Sequence, residues 1–66
     1  MHRFEDETKY RIPSRGVRLV TVKRRTDRFV FFNDGTRRMI FQGFFDGEPS
    51  EYFTFAGKRV YAAWQN

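Results

Sequence analysis

The sequence predicts an all-β protein, a small five-stranded and strongly bent antiparallel barrel, and three observations carry that prediction. Short runs of β-branched and aromatic residues recur from Val17 onward at about eight-to-twelve-residue spacing. Asn-Asp-Gly, Asp-Gly and Ala-Gly-Lys stand between them, where tight hairpins need residues that tolerate positive φ. The chain has 66 residues, so two complete sheets are hard to build from the residues after Gly16.

The elements run in order along the chain. Val17–Arg24, "VRLVTVKR", has the β-branched content of a strand. "RTD" is a polar turn, "RFVFF" a second strand, and "NDG" a strong hairpin signal. "TRRMIFQ" returns as a third strand, and "FDGEPS" turns the chain again. "EYFTF" is the fourth strand, "AGK" a glycine turn, and "RVYAAW" the fifth. This length and strand number match barrels of the SH3-like or OB-like kind.

Alternation assigns the faces. Phe29 and Phe31 share one side of the second strand, Val30 and Phe32 the other. Both sides are apolar, which means either a strand covered twice or a surface with exposed rings. Phe53 and Phe55 lie opposite Tyr52 and Thr54, while Met39 and Phe41 alternate with Arg38, Ile40 and Gln42. Residues 1–16 hold no sustained period and finish on Pro13, Ser14 and Gly16, so they are expected to form a partly ordered arm. Phe4, Tyr10 and Ile12 are its points of attachment to the single domain over 17–66.

Composition narrows the class. The chain has no cysteine, so a disulfide framework and a thiolate metal site are both excluded. It shows no apolar leader and no run long enough to span a membrane, and the expectation is a soluble cytoplasmic protein without cofactor. Nine Phe, three Tyr and one Trp must supply the core. Each buried ring covers roughly 150–250 Å², so a domain this small has more rings than it can hide. Some are expected at the surface.

Catalysis finds little support. The one histidine, His2, sits beside the initiator methionine, where chains are commonly poorly held. Asp46, Glu48 and Glu51 fall in or after a turn, where Asp-Gly is a turn residue and Glu a solvated one. No nucleophile–base pair or phosphate-cradling glycine loop is visible. An enzyme is not expected.

Charge is the stronger signal. The net charge is +5, but it is concentrated. From Lys9 to Arg38, ten basic residues face two acids, Asp27 and Asp34, which leaves +8 on that stretch. Lys23, Arg24, Arg25 and Arg28 gather at one turn, and Arg37 and Arg38 follow the next. A hairpin brings strand neighbours within about 5 Å, so these six are candidates for one phosphate-holding patch. The competing reading is a set of solvated edges that keep the sheet from aggregating.

Aromatic rings complete the candidate sites. Phe31 and Tyr52 are the rings expected to stack on bases beside the basic turns. "FQGFF" is a separate apolar cluster, and Phe41, Phe44 and Phe45 are candidates for docking a protein. Trp64 is expected to cap the barrel.

"VTVKRRTDRFVFFNDGTRRM" followed by "EYFTFAGKRVYAAW" resembles a pattern in small uncharacterised proteins of bacteriophages and mobile elements. The matching positions are Val22, Lys23, Arg24, Arg28, Phe29, Val30, Glu51, Tyr52 and Gly57, within residues 17–64. This chain departs from the pattern by inserting Arg25 and by lacking an apolar proline in its tail. The resemblance implies a compact β-rich protein of mobile-element origin and brings no settled activity. The sequence therefore leaves three readings: a nucleic-acid-binding module, a module that docks on a host protein, or a homo-oligomer. It does not separate DNA from RNA or single from double strands.

Overall fold

A computed structural model describes residues 1–14 and 16–65, without the side chains of Ser14, Gly16 and Val17. The protein is all-β, but its described residues form seven strands where five were expected. They are β1 (Thr8–Ser14), β2 (Gly16–Arg25), β3 (Phe29–Phe32), β4 (Arg37–Met39), β5 (Phe41–Phe45), β6 (Glu48–Phe55) and β7 (Lys58–Tyr61). A 3-10 turn, Ala62–Trp64, comes after them. Two antiparallel sheets result, ordered β1-β2-β3-β4 and β5-β6-β7. Among the described residues the ladders do not close into a barrel.

Two differences from expectation explain the count. The continuous run "TRRMIFQ" is split at Ile40, with β4 in the four-stranded sheet and β5 in the three-stranded one. The Ile40 amide donates to the Arg28 carbonyl at 2.7 Å, and its side chain packs against the core. One residue thus turns the chain from one sheet to the other.

The second difference is at the N-terminus. The described part of the expected arm over 1–16 is an integral part of the body, because β1 pairs along its whole length with β2, from Thr8 opposite Val22 to Ser14 opposite Gly16. Ahead of it, the His2 amide donates to the Pro49 carbonyl and the Glu51 amide to the His2 carbonyl, both at 3.0 Å. His2 therefore occupies the half of β6 that β7 leaves unpaired. Its Nε2 also lies 3.0 Å from Oε2 of Glu48, so His2 is held rather than loose. The first strand and the segment before it tie both sheets together.

Phe4, Tyr10, Ile12, Val22, Val30, Phe32, Phe53, Val60 and Ala62 form the core between the sheets. Phe4 sits edge-on to Tyr10 at 4.9 Å and tilted against Phe53 at 5.1 Å. Glu51 is the exception to the apolar interior. Expected as a solvated turn residue, it is buried, and it accepts from Arg25 Nη1 at 2.7 Å and from the Phe4 amide at 2.9 Å. A buried carboxylate is tolerable only with such partners.

Two-residue turns close the three-stranded sheet. Asp46 and Gly47 have φ of 54° and 83°, and Ala56 and Gly57 have 51° and 75°. Positive φ at both central residues is what the favoured hairpin turn needs, and glycine takes it at no steric cost.

Candidate nucleic-acid interface

The site begins with an irregularity in β2. Val22 lies opposite Phe32 and Arg25 opposite Val30, so both hold inward positions. Strict alternation would leave one residue between two such positions, yet Lys23 and Arg24 both stand there. The register shift between Val22 and Arg24 absorbs the additional residue as a β-bulge. Two consecutive cations are thereby exposed, and both line a shallow cleft of about 280 Å³ with Phe31, Phe32 and Gly35.

The rest of the outer face is set by the ladders. Phe29 and Phe31, half-buried, project outward while Val30 and Phe32 enter the core. Arg37 stands opposite Phe31 and Met39 opposite Phe29. On the far side, Lys9 lies opposite Thr21 and Arg11 opposite Leu19. Lys9, Arg11, Lys23, Arg24 and Arg37 are all exposed, and none is ion-paired among the described residues. No acidic residue occupies an outward ladder position of this sheet among the described residues.

Rings and cations are in contact. The Arg24 guanidinium lies 5.5 Å from the Phe31 centroid, and that of Arg37 lies 4.8 Å from the Phe29 centroid. Each contact contributes about 0.5–1 kcal/mol at an exposed site. That is enough to bias a side chain, not to fix it against a competing ligand. No acid stands in the described ladders of this sheet; the acids next to its strands lie in its loops. Asp6 accepts from the Arg25 amide at 2.9 Å, and Asp34 accepts from the Thr36 hydroxyl and amide at 2.6 and 3.0 Å.

The six basic residues singled out in the sequence do not all share this face. Lys23, Arg24 and Arg37 do. Arg25 points inward to Glu51, and its side chain is 15% exposed. Arg38 stands opposite Val30, an inward ladder position at the sheet edge, where it donates to the Arg37 carbonyl at 3.3 Å. Arg28 is exposed in the loop before β3. Lys9, Arg11 and Phe29 belong to the face in their place.

Tyr52 is also misplaced by sequence reasoning, because it lies in the other sheet. There it stacks on Phe41 at 5.5 Å and 26°, with the Arg59 guanidinium 5.0 Å from its ring. Tyr61, Phe45 and Trp64 continue this cluster through contacts of 5.1–5.3 Å. Those rings satisfy one another. "FQGFF" is split by strand alternation: Phe41 and Phe45 face the ring cluster, and Phe44, 71% exposed, faces the opposite side. It is not one continuous patch.

No helix among the described residues is long and apolar enough to cross a membrane. No protein-family model, curated protein or solved structure matches the chain.

Proposed function

We propose that this protein is a small nucleic-acid-binding module that holds its ligand on the outer face of the β1-β2-β3-β4 sheet. A single observation carries the reading: five cations and two half-exposed rings share that face with no carboxylate among its described ladder positions. Lys9, Arg11, Lys23, Arg24 and Arg37 contact phosphates, as guanidinium and ammonium groups do best when unpaired with protein acids. Phe29 and Phe31 lie between them.

A solubilising role predicts scattered cations interleaved with acids. The absence of acids from the described ladders of this sheet argues against it. A docking module for a host protein is the second reading. Exposed Phe44 and Phe41 favour it, but strand alternation sends them to opposite sides.

Salt dependence tests the proposal. Counterion release gives a slope of log affinity against log salt of about −0.7 to −0.9 per phosphate contacted. Five contacts give roughly −3.5 to −4.5 on that basis. Absence of oligonucleotide binding at roughly 50 mM salt moves the assignment to the docking module.

A further inference from the structure

We infer that the ligand is single-stranded, with an unpaired base stacked on Phe31 in the cleft that the β2 bulge opens; this rests on the nucleic-acid reading above. The shallow cleft lies among Lys23, Arg24, Phe31, Phe32 and Gly35 and has a volume of about 280 Å³. That is near the lower limit of small-ligand sites, roughly 300–1,000 Å³. It suits one nucleotide-sized group.

The chemistry of the walls fits the two halves of a nucleotide. Phe31 offers a flat apolar face of the kind that stacks on any base. Lys23 and Arg24, both turned outward by the bulge, put two charges beside the cleft, where a phosphate follows its base. Arg24 now covers the ring at 5.5 Å. It is exposed and not ion-paired among the described residues, so an arriving base displaces it toward the phosphate at little cost. Gly35 has no side chain to close the opposite rim.

Duplex recognition asks for something else. Reading the bases of a duplex needs an element that enters a groove about 12 Å wide past two rows of phosphates. The β3–β4 hairpin is the ribbon beside this cleft, and its turn carries Asp34. Hydrogen bonds from Thr36 hold that carboxyl below the usual carboxylate range. A fixed negative charge at the tip of a ribbon repels the phosphate rows it would have to pass.

The experiment compares three fluorescent probes at one salt concentration by anisotropy. They are a mixed-sequence single strand, its duplex, and a strand of equal phosphate number with abasic spacers. The single strand is expected to bind about tenfold more tightly than either of the others, and Phe31→Leu to abolish that difference while leaving the salt slope unchanged. Lys23→Gln with Arg24→Gln is expected to reduce the slope on every probe. Equal affinity for all three probes, with a steep slope, overturns single-strand stacking and leaves the phosphate-binding reading standing. Failure to bind any probe overturns both. A thermal melt of each variant establishes that it is folded before its affinity is compared.

Discussion

Nη1 of Arg25 lies 2.7 Å from Oε1 of Glu51, with the two side chains only 15% and 3% exposed, and the pair joins the four-stranded sheet to the three-stranded one. Glu51 also receives the Phe4 amide at 2.9 Å, so the same carboxylate anchors the segment that precedes β1. Removing one partner of a buried pair costs about 3–5 kcal/mol, because the other charge remains buried and unmatched. A core of this size rarely supplies more than about 3–5 kcal/mol in total. Glu51→Gln is therefore expected to be largely unfolded at room temperature by circular dichroism. Arg25→Met with Glu51→Leu, which removes both charges, is expected to recover a cooperative urea transition.

Gly43 lies beneath the Tyr52 ring. A Cβ there would stand 2.8 Å from Tyr52 Cε1, and the ring could move away only by leaving its stack on Phe41. Gly43→Ala is expected to cost about 1–3 kcal/mol, as overpacking does. In a double-mutant cycle with Tyr52→Ala the cost should largely vanish. Additive losses would place the strain elsewhere.

Alkaline stability depends on Tyr10. Its ring is buried, and desolvation raises the phenol pKa above its ordinary value, with Glu5 and Glu51 adding to the rise and hydrogen bonds from the Glu5 amide and Thr8 opposing it. A folded-state pKa above the unfolded one means that folding favours the protonated form, here the neutral phenol, so the stabilising contribution is fully present below the unfolded pKa, near 10.0. That contribution is lost as pH rises through the folded value. Urea midpoints are expected to fall above that pH, and Tyr10→Phe to flatten the fall while lowering the neutral-pH midpoint through the lost Glu5 bond.

Arg37 and Arg38 are adjacent in sequence but opposite in facing. Arg37→Gln is expected to lower the salt slope of oligonucleotide binding by about 1 and weaken binding alike for all sequences. Arg38→Gln should change the slope less. Equal effects would mean that the sheet face does not discriminate between them.

Much of this fold was legible in the sequence, and the exceptions have physical causes. The hairpins at Asn33–Gly35, Asp46–Gly47 and Ala56–Gly57 were readable because positive φ selects few residue types. The corner at Ile40 was not, since residues 36–42 have unbroken strand propensity and a single residue changes sheet. Lys9-Tyr10-Arg11-Ile12 does alternate, but four residues ahead of Pro13 are too few to identify β1 without its partner. The candidate site was half legible. Charge density located it near Lys23 and Arg37, but a bulge formed within a run of basic residues leaves no mark that separates outward Arg24 from inward Arg25. Burial of Glu51 depends on partners 26 and 47 positions away, which no local pattern records.

Backbone amide chemical shifts, followed while a single-stranded oligonucleotide is titrated into the labelled protein, test the central claim most directly. Shifts are expected to concentrate at Lys9, Thr21, Lys23, Arg24, Phe29, Phe31 and Arg37, with Phe41–Phe45 and Tyr61 unchanged. Shifts confined to the ring cluster of the three-stranded sheet, or none at low salt, would contradict it.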